Sequence, residues 1–256
     1  MSLEINPEKI SHEIVVFLEK EFKKRNKKNA ILGISGGIDS AVCAYLCKQA
    51  GLGLYAINIP YKRQGIKDSK LIEKDLGLNK NQVITINIGK SVDEQIKELE
   101  KFTKLDLVDK GNIMARQRMI IQYSLARRLG GLVVGTENLS EYYLAYFTLY
   151  GDQACDISPI AGLLKTQVYQ LAKFLEVPTK IITKAPSAGL WKNQSDEQEL
   201  GFTYAQADPI IYLKMIRGCS DKKIIENGFS KRLVSRVSKR IKETDFKRQE
   251  EPKYYL

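Results

Sequence analysis

Asn29-Ala-Ile-Leu-Gly33-Ile34-Ser35-Gly36-Gly37-Ile38-Asp39-Ser40 is the stretch on which the fold turns. Residues 29–34 are a short apolar run of the kind that forms a buried parallel strand. The run breaks at a glycine pair, and residues 40–50 (SAVCAYLCKQA) then read as a helix that Gly51 stops. Two adjacent glycines let a backbone approach an anion closely, and the helix that follows offers free N–H groups and its positive dipole end. Ser35 and Ser40 add hydroxyls, and Asp39 can hold a magnesium ion that bridges phosphates. A plain strand-to-helix turn capped by Asp39 or Ser40 explains one glycine and one cap, but not the whole S-G-G-x-D-S string.

Working outward, the alternation repeats. An amphipathic helix is expected before the strand, from about Pro7 to Lys27, with Ile10, Ile14, Phe17, Leu18 and Phe22 on one stripe. Residues 54–60 and 82–88 read as second and third strands, with helical segments at 68–77, 91–104 and 114–131, and LVVGT at 132–136 as a fourth strand. Strand and helix alternating in this way predict an α/β fold: a doubly wound parallel sheet with helices on both faces. Beyond Thr136 the pattern weakens. Residues 137–160 look loop-like, a helix is expected at 165–176 before Pro178, and residues 184–201 (KAPSAGLWKNQSDEQELG) look like a mobile lid. No repeat or linker divides the chain, so residues 1–256 are expected to form a single domain.

Composition narrows the function classes. Hydrophobic residues make up 43% and charged residues 28% of the 256 residues, which is ordinary for a soluble protein. No apolar run reaches the roughly 18–20 residues of a membrane span, and the N-terminus has no signal-peptide core; a cytoplasmic enzyme with no membrane association is expected. Cys43, Cys47, Cys155 and Cys219 lack CxxC spacing or histidine partners and read as buried small residues in a reducing compartment. His12, the one histidine, has no visible partner for catalysis. The net charge of +11 comes largely from Lys-rich faces at 20–28 and 230–242; with no RNA- or DNA-binding signature beside them, no nucleic acid is expected as partner. A polyanionic small substrate would profit from the same field.

The loop is neither a Walker A sequence nor a GxGxxG fingerprint. Ser35-Gly36-Gly37-Ile38-Asp39-Ser40 resembles the pyrophosphate loop of the N-type ATP pyrophosphatases, which cleave ATP between the α and β phosphates and transfer AMP to a substrate oxygen. Residues 111–126, 132–141, 147–175 and 184–204 are similar, in order and spacing, to the ammonia-dependent NAD synthetases of that superfamily, and the resemblance runs from about Ala30 to Gln249. It implies the adenine nucleotide alpha hydrolase-like fold and a ligase that adenylates deamido-NAD with ATP and aminates it with ammonia. It also implies a homodimer.

Carried over by position, the resemblance assigns ATP contacts to Gly33, Ile34, Ser35, Gly36, Gly37, Ile38, Asp39, Ser40, Thr136, Lys165 and Ser187, the last a serine where threonine is usual. Asp39 and Glu141 would hold Mg²⁺, and Asp39 and Lys165 would carry the chemistry. Arg116, Asp156 and Lys247 would contact deamido-NAD, with Asp152 second to Asp156. Two positions depart from the family pattern: Leu149 stands where a lysine is common, and Phe246 where a histidine is common. Glutamine-using relatives carry an added amidohydrolase domain for which this length leaves no room, so free ammonia is the expected nitrogen source. Two other readings remain open: another adenylating enzyme of the superfamily, such as a tRNA-modifying ligase, and a non-catalytic nucleotide-binding module.

Overall fold

A computed structural model describes residues 3–191 and 194–254. The first half alternates as the sequence indicates: α1 (Pro7–Lys24), β1 (Asn29–Gly33), α2 (Ile38–Gln49), β2 (Gly53–Asn58), α3 (Lys67–Asp75), β3 (Val83–Thr85), α4 (Gly89–Leu99), α5 (Leu107–Leu129) and β4 (Gly131–Val133). All strand pairs are parallel, in the order β3-β2-β1-β4. The order reverses at β1, so the crevice for a ligand lies beyond the carboxyl ends of β1 and β4.

Side-chain alternation along β1 explains why both faces are covered. Ala30 and Leu32 pack into one core with α1 and α2, through Leu18, Phe22, Ala41 and Leu46. Ile31 points the other way, into a second core with Val92 of α4 and Ile113 and Met114 of α5. A strand buried on both faces must be apolar throughout, as residues 30–32 are. Cys43 and Cys47 sit fully inside the first core as free thiols, the role expected of them, whereas Cys155 and Cys219, expected to be buried too, are only half-buried free thiols. His12 is exposed on α1.

The second half is more helical than expected. Residues 137–160, expected as loop, contain α6 (Leu139–Leu144), and the expected lid contains α9 (Asp196–Leu200). Around them lie α7 (Lys165–Phe174), α8 (Thr179–Ile182), α10 (Tyr204–Ile211), α11 (Asp221–Glu226) and α12 (Lys231–Glu243), with a single π turn at 212–216. A third core under these helices gathers Leu144, Leu164, Leu200, Ile210, Val234 and Val237. The basic segment at 231–243 is an amphipathic helix whose Val234, Val237 and Ile241 face inward while its lysines stay in solvent. Part of the positive charge therefore belongs to the solvent face of an amphipathic helix. Among the described residues no helix is long and apolar enough to cross a membrane.

Candidate active site

The loop after β1 is built by its own serines. Ser35 Oγ accepts from the Gly37 N–H at 3.1 Å and lies 3.1 Å from Ser40 Oγ, and Ser40 donates to the Gly37 carbonyl at 3.0 Å. Gly36 has φ of +77°, and a Cβ there would stand 2.7 Å from Cβ of Asp68, so only glycine fits. The turn leads into α2 with no side chain capping its first N–H groups. Those donors face a cavity of about 480 Å³.

Asp39, in the first turn of α2, meets Lys165 and Glu141 across the cavity floor. Lys165 Nζ donates to Asp39 Oδ2 at 2.6 Å and to Glu141 Oε1 at 3.0 Å, with the lysine side chain only 3% exposed. Burial alone would lower the Lys165 pKa, but the two carboxylates more than offset this and hold it above the ordinary lysine range. The oxygens of Asp39 and Glu141 thus converge on a point now filled by an ammonium group. Two hard oxygen donors converging on one charge fit a magnesium ion completed by phosphate oxygens and water.

Two residues absent from the sequence reading hold this constellation. Asn138 is fully buried; its Nδ2 donates to Asp39 Oδ1 at 2.9 Å, and its Oδ1 caps α6 by accepting from the N–H groups of Ser140 and Glu141 at 3.0 Å each. Glu141 returns the bond, accepting from the Asn138 N–H at 3.3 Å. This is a capping box, and its N-x-x-E spacing was a legible signal. Asp208, fully buried on α10, accepts from Ser140 Oγ at 2.6 Å and from the Thr166 N–H at 2.8 Å, while the Lys165 N–H donates to Ser140 Oγ at 2.8 Å. The start of the Lys165 helix and the Glu141 helix are therefore tied to one carboxylate. No local sequence pattern announces Asp208.

The segment expected as a lid arches over the cavity and is pinned in several places. Lys184 pairs with Asp68 at 2.9 Å and donates to the Gly36 carbonyl at 3.3 Å. Gln64 Nε2 donates to the Gly189 carbonyl at 2.6 Å, and Arg118 Nη2 donates to Gln64 Oε1 at 3.0 Å. Buried Asp196 accepts from the Ala188 N–H at 3.0 Å. Lys192 and Asn193 of this segment lie outside the described residues.

The sequence candidates divide into two groups. Gly33, Ile34, Ser35, Gly37, Ile38, Asp39, Ser40, Thr136, Glu141, Lys165 and Ser187 line the cavity; Gly36 supports the loop from behind. Asp152 also lines it and accepts from the Thr148 N–H at 2.8 Å. Arg116, Leu149, Asp156, Phe246 and Lys247 do not line it. Arg116 is exposed and donates to the Leu149 carbonyl at 3.3 Å. Asp156 accepts from the Val133 N–H at 2.8 Å, closing the end of β4. Lys247 donates to the carbonyls of Ala145, at 2.8 Å, and Phe147, above whose ring it lies 4.4 Å from the centroid. Phe246 is 68% exposed.

Known proteins match this chain over nearly its whole length. The family model described as NAD synthase matches residues 10–251. An NH(3)-dependent NAD(+) synthetase of Fusobacterium nucleatum is 39% identical over 252 residues, spanning 96% of this chain and 95% of that protein. Among solved structures, an NMN synthetase from Francisella tularensis superposes with a TM-score of 0.86 at 32% identity, covering 99% of this chain and 100% of its own. An NH3-dependent NAD synthetase from Campylobacter jejuni superposes at 0.81 with 29% identity, covering 98% and 100%.

Proposed function

This chain belongs to the NAD synthase family, and on that premise we propose that residues 1–256 act as one ligase that amidates deamido-NAD with ammonia, converting ATP to AMP and pyrophosphate. The observation that carries the reading is the S-G-G-x-D-S loop opening onto a cavity whose floor is the Asp39–Lys165–Glu141 constellation.

In the first step an oxygen of the nicotinate carboxylate attacks the α-phosphorus of ATP, and pyrophosphate leaves. In the second, ammonia attacks the activated carbonyl carbon and AMP leaves with the electron pair of the C–O bond. The protein contributes position and charge. Free N–H groups at the start of α2, with Ser35 and Ser40, cradle the phosphates, and Thr136 and Ser187 border the nucleotide from the end of β4 and from the arching segment. Lys165, released from its carboxylates, neutralises charge on the pyrophosphate. Asp39 and Glu141 would hold Mg²⁺, which when bound supplies charge neutralisation at the phosphates. The pinned stretches at 184–191 and 194–201 shield the cavity from water, which would otherwise hydrolyse the adenylate.

Arg116, Asp156 and Lys247 serve the dinucleotide in this scheme, from outside the ATP cavity. That placement, together with exposed Leu107, Val108 and Ile120 on α5, supports a homodimer whose second subunit completes the dinucleotide site. One observation favours a second reading: structural similarity to an NMN synthetase, joined to Leu149 in place of a cation, suits a mononucleotide acid as acceptor. The deciding assay incubates the protein with ATP, Mg²⁺, ammonium and, in separate tubes, deamido-NAD, nicotinate mononucleotide or RNA. NAD and AMP in equal amounts are expected from the first tube. Product only from the second would move the acceptor to the mononucleotide, and AMP release only with RNA would overturn the family's substrate for this chain.

A further inference from the structure

Pyrophosphate is the first product of the proposed reaction, and it departs as a polyanion whose charge must be met. Among the described residues, the cationic side chains that line the main cavity are Arg118, Lys165 and Lys184. Lys165 is held on the floor by two carboxylates. Arg118 lies at the end of β2, where its Nε donates to the Ile59 carbonyl at 3.1 Å and its Nη2 to Gln64. Lys184 is the one that stands at the loop after β1, with its Nζ 3.3 Å from the Gly36 carbonyl.

A single carboxylate holds Lys184 there. Asp68, in the first turn of α3, accepts from Lys180 on Oδ1 and from Lys184 on Oδ2, both at 2.9 Å. The same turn packs against the back of the loop, since a Cβ on Gly36 would stand 2.7 Å from Asp68 Cβ and 3.1 Å from the Ser69 nitrogen. The loop, the start of α3 and the chain that follows α8 are thus fixed on one another. Lys180 and then Lys184 hold the Asp68 carboxyl below the ordinary carboxylate range, so it is anionic at neutral pH.

Two lysines on one carboxylate leave one positive charge to spare, and the two are not equivalent. Lys180 is the more exposed and does not line the cavity, whereas Lys184 does. An ammonium group carries three N–H donors. Asp68 and the Gly36 carbonyl take two of those on Lys184, and the third has no protein acceptor among the described residues. An exposed ion pair contributes little to stability on its own. Tying α8 to α3 therefore explains neither the bond to the loop carbonyl nor the place on the cavity wall. A cation at a phosphate loop, with a donor to spare and its counter-ion behind it, can take a phosphate oxygen without giving up its anchor.

We propose that Lys184 is a pyrophosphate-binding residue, meeting the β and γ phosphates of ATP from the rim of the cavity while Lys165 meets them from the floor, and that Asp68 positions it. The inference rests on the amidation reading above and adds a second cation to its first step. As the bond from the α-phosphorus to the bridging oxygen breaks, its electron pair stays on that oxygen. The Lys184 ammonium offsets the charge that builds on the departing pyrophosphate and transfers no proton.

The test is steady-state kinetics on the full-length protein with ATP, Mg²⁺, ammonium and deamido-NAD, joined to product inhibition by added pyrophosphate. Lys184→Met keeps the stem and removes the charge. It is expected to raise the pyrophosphate inhibition constant and the KM for ATP about tenfold, the effect of losing one charge-assisted hydrogen bond, with the KM for deamido-NAD within about twofold. Lys184→Arg restores the charge and should recover most of the loss. Lys180→Met removes the same charge from the same carboxylate, and should change neither constant by more than about twofold. Asp68→Asn should raise the inhibition constant about threefold while Tm stays within about 3 °C, since the pairs it weakens are exposed. An unchanged inhibition constant in Lys184→Met overturns the proposal. So does an equal shift in Lys180→Met, which would make the effect one of net charge alone. A fall in Tm in step with every kinetic constant also overturns it, by making the cluster a structural tie. Failure of the wild-type protein to exchange pyrophosphate into ATP in the presence of deamido-NAD is a separate result, and overturns the amidation reading itself.

Discussion

The two ends of the proposed reaction path are built differently. On the ATP side, the central charges have their partners inside the chain: Lys165 sits between Asp39 and Glu141, and Asn138 and Asp208 lock the helices that carry them. On the dinucleotide side, Arg116 reaches a backbone carbonyl from an exposed position, Lys247 is spent on two more carbonyls, and Phe246 stands in solvent. A preorganised charge cluster is a property of one chain folding on itself. Neutral carbonyl oxygens hold a cation less strongly than carboxylates do, so the contacts on this second side are more easily given up to an anionic ligand.

Removal of Lys165 puts the largest strain on this contrast. Lys165→Met leaves two carboxylates facing each other in a site with side chains only about 15–16% exposed. Breaking a buried pair in this way costs about 3–5 kcal/mol, a fall in Tm of roughly 10 °C for a chain of this size. Turnover should drop by about 10³-fold. Mg²⁺ added to the variant should recover much of the lost Tm, because a cation can again sit between Asp39 and Glu141. A variant whose Tm ignores Mg²⁺ would show that these oxygens do not form a cation site.

That contrast also governs what the sequence could reveal. The alternation of strands and helices and the loop were legible because backbone chemistry dictates them: an apolar run buried on both faces, a glycine with φ of +77°, a helix start without a cap. Thr136, Glu141 and Lys165 became legible as site residues only through family resemblance, since a single hydroxyl or charge at the end or in the first turn of an element carries little local signal. Asn138 is marked in the sequence by its capping-box spacing, but the polar, Tyr-rich composition of residues 137–160 masks the helix α6 that the box opens. Asp208 was out of reach: it acts across 42 residues of sequence on Thr166, and its partners are a hydroxyl and a backbone N–H that no pattern distinguishes.

Asp208→Ala gives the second largest effect. It strips the acceptor from Ser140 and from the first turn of α7, leaving buried donors unmet at a cost of about 2 kcal/mol. Both Glu141 and Lys165 lose their anchor, so kcat should fall by about tenfold while the KM for ATP moves little. A variant in which stability falls but kcat holds would make Asp208 a helix cap with no bearing on catalysis.

Smaller still is the separation of Arg116 from Lys247. Arg116→Ala gives up one exposed bond to Leu149, so its Tm should stay within about 1 °C, while the KM for deamido-NAD rises about tenfold. Lys247→Ala removes two half-buried carbonyl bonds and a ring contact, and should lower stability by about 2 kcal/mol whatever it does to KM. If Lys247→Ala instead changes only the KM, its carbonyl bonds are a resting arrangement that substrate displaces, and the dinucleotide side is more plastic than its geometry suggests.

Leu149→Lys offers the smallest expected effect and the finest discrimination. Leu149 is half-buried beside exposed Tyr150, and its carbonyl already receives Arg116. A lysine there would keep its stem on the apolar surface and bring its ammonium to water, so folding should be unaffected. If the dinucleotide passes this point, the added charge strengthens its phosphate contact by about 0.5–1 kcal/mol at a solvent-exposed site, a two- to fivefold drop in the KM for deamido-NAD that shrinks with salt. The same substitution should leave nicotinate mononucleotide indifferent, because that substrate is shorter by one nucleotide. A gain for both acceptors would place the common phosphate near residue 149. A gain for neither would move the whole dinucleotide path away from the Arg116 face and leave the contrast between the two ends without its second term.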